Sequence, residues 1–230
     1  MSEHPLDRPV WSALNAGWKA VSWGNVQARQ LDPAYGPFAA SNGRSAEALA
    51  MLGAFMPGPD GLWVVEDEDF PIPPGMTVVK SALCHQMWAQ AVSPGGKLLD
   101  VVPLGDNDAA EMLALALLTK PGPFSTHTHA IGNFIGVKID GRLAAMAGER
   151  MRMAGFAEVS GVCTHPDFRG RGLASNLLRM VAERIVARGD VPFLHTYADN
   201  AVAIAMYEAL GFRFRKELML RIFRTSPGLS

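Results

Sequence analysis

The segment Val162-Cys163-Thr164-His165-Pro166-Asp167-Phe168-Arg169-Gly170-Arg171-Gly172-Leu173-Ala174 constrains the fold more than any other part of the chain. An apolar strand runs into a Gly/Arg-rich turn, and the turn opens a helix. The helix reads from Leu173 to Ala187, with Leu173, Leu177, Leu178, Val181 and Ile185 at three- and four-residue spacing. A helix N-terminus carries unpaired N–H groups and a partial positive charge. Glycines let the backbone approach an anion closely, and Arg169 and Arg171 add guanidinium charge, so the turn suits a phosphate or pyrophosphate. A P-loop needs Lys-Ser/Thr after its second glycine, and Gly172-Leu173-Ala174-Ser175 does not supply it. A dinucleotide turn needs a third glycine where Ser175 stands, and it follows repeated βαβ units. Taken alone, the turn reads better as a solvated basic loop before an ordinary helix.

The strands before the turn read as hairpins. Asn133 to Ile139 and Arg142 to Arg152 are joined by Asp140-Gly141, and Ala154-Gly155 leads to a third strand, Phe156 to Thr164. Upstream, Leu98 to Val102 reads as a strand. Asp106 or Asn107 caps a helix over Ala109 to Leu118 that stops at Lys120-Pro121-Gly122-Pro123. Downstream come a strand from Pro192 to Tyr197, a helix from Ala201 to Leu210, and an alternating strand from Phe212 to Phe223. The first ninety residues are less regular. They hold a short helix from Pro9 to Trp18, a better one from Ser45 to Phe55, and strands at Leu62 to Val65 and Thr77 to Val79.

Charge divides the chain where Ser93-Pro94-Gly95-Gly96 marks a turn or linker. Residues 1–96 carry five Lys/Arg against nine Asp/Glu, and the remainder sixteen against thirteen. The sum is -1, which excludes a chain built to coat nucleic acid. Two cysteines, Cys84 and Cys163, make no disulfide framework. No run reaches the roughly 18 apolar residues of a membrane helix, and Met1-Ser2-Glu3-His4-Pro5 lacks the pattern of a signal peptide. The expectation is a cytoplasmic protein, monomer or homodimer, without nucleic-acid or membrane partners.

Arg169-Gly170-Arg171-Gly172-Leu173-Ala174 resembles the (Gln/Arg)-x-x-Gly-x-(Gly/Ala) signature of the GNAT N-acetyltransferase superfamily. About thirty residues on, Asn200 to Phe212 resembles that family's Asn-x-x-Ala-x-x-x-Tyr-x-x-x-Gly-Phe block. The resemblance covers residues 97–223 and is closest to the glycine N-acyltransferase-related subgroup. It implies an α/β GNAT fold, a mixed, mostly antiparallel central sheet flanked by helices. Residues 96–230 would form the acetyltransferase domain and residues 1–95 an N-terminal α/β extension, either a degenerate half-GNAT or a lid.

The resemblance also implies acetyl-CoA as donor and an amine as acceptor, with no metal. The coenzyme would lie on Val162, Cys163 and Thr164, on Arg169, Gly170, Arg171, Gly172, Leu173, Ala174 and Ser175, and on Asn200, Ala203 and Tyr207. Backbone N–H groups of the turn would hold the pyrophosphate. The strand Val162–Thr164 would pair with pantetheine and stabilise a tetrahedral oxyanion. Gly161 within that strand marks a bulge or a packing contact. Tyr207 stands at the family position of the acid that protonates the departing thiolate; otherwise it is a half-buried helix tyrosine.

Glu158, on the face shared by Ser160 and Val162, is the expected base, with Glu149 or a water chain as alternatives. His127 and His129 are expected to line the acceptor pocket together with Glu149. Cys163 has no base beside it and is read as a small buried hydrophobe, so direct transfer is favoured over a covalent intermediate. The acceptor is read as a small-molecule amine. A protein lysine or N-terminal amine, and a non-catalytic acyl-CoA-binding module, are the alternatives.

Overall fold

The computed structural model describes residues 4–97 and 99–227; Met1–Glu3, part of the stretch read for a signal peptide, and Leu98, the first residue of the strand expected over Leu98 to Val102, lie outside them. In chain order the elements are α1 (Pro9–Leu14), β1 (Ser22–Gly24), β2 (Ala28–Leu31), β3 (Ala39–Ser41), α2 (Ala46–Gly53), β4 (Leu62–Glu66), β5 (Met76–Trp88) and β6 (Val102–Pro103). They continue with α3 (Ala109–Thr119), β7 (Ile135–Ile139), β8 (Arg142–Met153), β9 (Phe156–Thr164), α4 (Leu173–Ala187), β10 (Val191–Tyr197), α5 (Ala201–Ala209) and β11 (Arg213–Thr225). β1, β2 and β3 form a small antiparallel sheet. The main sheet has eight strands in the order β4-β11-β5-β10-β9-β8-β7-β6. Among the strands described, only β9 and β10 run parallel, so the sheet is mixed and mostly antiparallel.

Local chemistry accounts for the element ends. Asp140 and Gly141 both take positive φ, +50° and +76°, the geometry of a tight hairpin between β7 and β8. The Ser45 side chain accepts from the Ala48 N–H and opens α2, and Asn200 does the same for α5 through Ala203. Gly189, at φ +86°, follows the end of α4.

α4 buries Leu177, Leu178, Val181, Ala182 and Ile185 against Ala145 and Ala147 of β8 and Ala157 and Val159 of β9. Each buried Leu or Ile contributes about 1.5–3 kcal/mol of transfer free energy. On the other face, Met112, Leu115 and Ala116 of α3 pack on Phe134, Met146 and Cys163. The boundary expected at 95/96 does not separate two sheets. β5 belongs to residues 1–95 yet lies between β10 and β11, and it runs thirteen residues where Thr77 to Val79 was expected. The strand expected from Leu98 is reduced to Val102–Pro103. α1 stops at Leu14, short of Trp18.

Candidate active site

β9 and β10 pair only at Phe156–Val191, Ala157–Pro192 and Glu158–Phe193. Beyond that point β10 stays with β5 and β9 stays with β8, so the two strands diverge. A cleft of about 420 Å³ opens between them. Val162 stands on one side, and His195, Thr196 and Tyr197 on the other. Asn200, Ala203, Met206 and Tyr207 of α5 and its cap close one end, and Phe38, Trp63, Arg150 and Lys120–Pro123 wall the rest. A second space of about 380 Å³ adjoins it. Val162, Cys163, Thr164, Phe168, Arg169, Gly170 and Gly172–Ser175 line that space, and the two share Thr119, Pro121, Val162, Ala174 and Met206.

Two bulges shape the cleft. Cys163 pairs with Met146 and Ser160 with Gly148, so Gly161 and Val162 together oppose Ala147. Gly161 takes φ +64°, and a Cβ there would stand 2.7 Å from the Phe134 ring, so the position needs glycine for both reasons. In β8, Glu149 pairs with Val159 and Arg152 with Ala157, so Arg150 and Met151 together oppose Glu158. That bulge turns Arg150 to the cleft, and the buried Trp18 fixes it by donating its indole N–H to the Arg150 carbonyl at 2.9 Å. Of the tryptophans near the N-terminus, Trp18 is core and Trp23 is exposed.

Gly170 and Gly172 of the turn have φ +77° and +76°, and a Cβ on Gly170 would meet only open space. No side chain among the described residues caps α4, so its first N–H groups have no capping partner there. The Thr164 hydroxyl is buried beside them with no hydrogen-bond partner among the described residues. An uncapped helix end, open glycines and an orphaned hydroxyl fit a ligand with phosphates and amides, which coenzyme A is. Arg169 lines this space, whereas the Arg171 guanidinium lies over the Phe168 ring at 5.3 Å. Burial pushes the Cys163 thiol up to about 11, leaving a poor nucleophile.

Tyr207 is half-buried, packs on Phe212, and its hydroxyl has no partner among the described residues. Burial pushes its phenol up, so it stays protonated. Glu158 departs from the role expected of a base. Its side chain is fully buried, held by Arg150 at 2.7 and 2.8 Å and by His195 at 2.7 Å. Burial opposes its ionisation, but the charge of Arg150 and hydrogen bonds from His195 and Arg150 prevail and hold the carboxyl down to about 2.

Glu149 does not reach the cleft either. It is buried in a bidentate pair with Arg188 at 2.8 Å, with Arg152 also near at 3.4 Å, because it pairs with Val159 on the α4 side of the sheet and Arg150, one residue on, takes the cleft side. His127 is exposed beside Tyr35, and His129 is buried and bound to Asp106 at 3.0 Å. Neither lines the cleft, because the loop after α3 folds back on residues 34 and 35. Sequence reasoning passed over Arg150, Thr119, Trp63, His195 and Tyr197. The one usable signal was Lys120-Pro121-Gly122-Pro123, read as a helix stop and found as cleft wall.

The family model described as FR47-like protein matches residues 135–220. A solved structure from Novosphingobium aromaticivorans, assigned to the GNAT family, superposes with a TM-score of 0.90 at 48% identity, over 97% of this chain and 100% of its own. The chain belongs to the GNAT family. A GNAT structure from Kribbella flavida, at 17% identity and a TM-score of 0.63 over 95% of this chain, shares the fold. Among curated relatives, N-alpha-acetyltransferase RimI of Mycobacterium tuberculosis is 35% identical over 105 residues. That match spans 44% of this chain and 62% of the relative. GNAT proteins are acetyltransferases that use acetyl-CoA as donor.

Proposed function

We propose that this GNAT protein transfers an acetyl group from acetyl-CoA to the primary amine of a small molecule, by direct attack through a tetrahedral intermediate. The observation that carries the reading is the divergence of β9 and β10 beyond Glu158–Phe193. It joins the uncapped α4 turn to the space beside Tyr207 in one continuous cleft.

The residues act as follows in this reading. The N–H groups opening α4 and the charge of Arg169 bind the pyrophosphate. From Val159 to Thr164 the β9 edge facing β10 has no partner strand among the described residues, so Val162 and Thr164 are free to pair with the pantetheine amides. A backbone N–H on that edge stabilises the developing oxyanion. Tyr207 donates its proton toward the departing thiolate. Among the described residues no Asp or Glu lines the cleft, while Lys120 and Arg150 do. Their positive charge disfavours an ammonium and lowers the acceptor's pKa, so the amine gives its proton to water. Affiliation with the glycine N-acyltransferase-related subgroup belongs to the same proposal, supported by Phe38 and Trp63, which bring the N-terminal residues into the cleft wall. A monomer or homodimer in the cytoplasm is part of it too; no described helix is long and apolar enough to cross a membrane.

A protein N-terminal amine is the second reading, favoured by the similarity to RimI. Thiol release from acetyl-CoA, compared across small amines and N-terminal peptides, separates the two. Higher kcat/KM with small amines supports the first reading, and turnover with peptides alone supports the second. Coenzyme binding with no release on either panel would leave only a non-catalytic acyl-CoA module.

A further inference from the structure

Five adjacent strands of the main sheet each contribute one polar side chain to a row: Arg215 on β11, Gln86 on β5, His195 on β10, Glu158 on β9 and Arg150 on β8. The row fixes its own polarity. Arg215 donates to Asp7 at 2.7 Å and to the Gln86 carbonyl oxygen at 2.9 Å. Gln86 therefore turns its amide N–H groups to the Leu6 carbonyl at 2.9 Å and to His195 Nε2 at 3.1 Å. His195 accepts at Nε2 and so donates from Nδ1 to Glu158 at 2.7 Å. Neither His195 nor Glu158 has a lone pair turned to the cleft as a free base. Their joint effect is to hold Arg150.

Arg150 is held by one edge only. Nε and one hydrogen of Nη2 go to Glu158, which leaves Nη1 and the other Nη2 hydrogen as a second fork. Nη1 makes no hydrogen bond among the described residues, and a Cβ on the cleft-wall residue Gly122 would stand 3.7 Å from it. The guanidinium is further fixed 5.0 Å over the Phe38 ring. Lys120 is exposed at the same wall, with no ion pair among the described residues. Phe38, Trp63 and Tyr197, with the aliphatic Val65, Met151 and Leu220, add apolar and aromatic surface to the wall.

We propose that the free edge of Arg150 binds a carboxylate on the acceptor, so that the acceptor is an amine carrying both a carboxylate and an apolar or aromatic body. The inference rests on the acetyl-transfer reading and names its substrate class. A planar carboxylate matches the guanidinium fork with two parallel bonds. The row holds that fork in place before the acceptor arrives, which removes part of the ordering cost of binding. Polyamines and other dications are disfavoured, because a second ammonium meets Lys120 and Arg150 with no carboxylate among the described residues to receive it.

The test compares apolar and aromatic amino acids with their amides as acceptors, by thiol release with acetyl-CoA. The wild-type protein is expected to prefer the acid by roughly ten- to a hundredfold in kcat/KM, the range of a charge-assisted hydrogen bond, although the amide holds more neutral amine. Arg150→Met combined with Glu158→Gln removes both charges of the pair, so no bare carboxylate stays buried. In that variant the acid-to-amide ratio is expected to collapse toward one, mainly through KM, and Arg150→Lys is expected to restore part of it. A merely structural role for Arg150 would lower both acceptors alike and leave the ratio standing, which would overturn the proposal. Equal use of acid and amide by the wild-type protein overturns it without any variant, so a variant that fails to fold does not protect it. Absence of thiol release with every amine would defeat the transfer reading and this inference with it; equal use of acid and amide defeats this inference alone.

Discussion

Glu158 and Arg150 form a side-on ion pair, with bonds of 2.7 and 2.8 Å, in which the carboxylate is sealed from solvent and the guanidinium borders the cleft. The pair joins β9 to β8 at the point where β9 has just parted from β10. Stability and acceptor binding therefore depend on the same contact.

Glu158→Gln leaves Arg150 without its counter-charge and is expected to destabilise the fold by about 3–5 kcal/mol at neutral pH. In the wild-type protein the carboxyl sits at about 2, below its ordinary value of 4.5. A carboxyl depressed by folding contributes stability that is fully present above 4.5 and is lost as pH falls toward 2. Urea denaturation between those limits should show that loss, and the variant should show a flatter slope. An unchanged slope would mean the carboxylate is not the group that titrates.

Tyr207→Phe is expected to lower kcat by roughly ten- to a thousandfold with little change in acetyl-CoA affinity, the pattern of a lost proton donor. Steady-state kinetics together with calorimetric binding separates this from a packing defect, which would weaken both.

Gly172→Asp puts a carboxylate at the N-terminus of α4, where φ is +76° and no other side chain caps the helix. Coenzyme binding measured by calorimetry should weaken sharply. Unaltered binding would refute the anion site at this turn.

Gly161→Ala forces a Cβ to within 2.7 Å of Phe134 at φ +64°. The variant should lose about 1–3 kcal/mol, the scale of strained backbone positions, and its activity should fall because the bulge at Val162 must flatten or shift. A melting temperature equal to wild type would show that the bulge tolerates a side chain.

Much of the core was legible because its signals are local. Leu177, Leu178, Val181 and Ile185 repeat with helical spacing, Asp140-Gly141 spells a hairpin, and Gly161 stands out inside an apolar strand. β5 was not, because Lys80, Ser81, His85 and Gln86 break any apolar alternation. Its length comes from pairing with β10 and β11, more than a hundred residues away in the chain. The acceptor side failed for a related reason. Glu149 was expected at the pocket as the carboxylate on the strand next to Glu158, whereas its pairing with Val159 puts it on the α4 side and leaves the cleft side to Arg150, a register that no residue in the stretch announces. His127 and His129 were assigned by their place in a loop, and that loop packs on Ala34 and Tyr35 instead of the cleft.

Acetyl transfer to a small amine leaves its record in the mass of the product. The protein would be incubated with acetyl-CoA and a mixture of apolar amino acids, and the products analysed by mass spectrometry alongside released thiol. An N-acetylated amine is expected in equal amount to the thiol. Tight acetyl-CoA binding with neither product would show that the protein does not transfer the acetyl group to these amines.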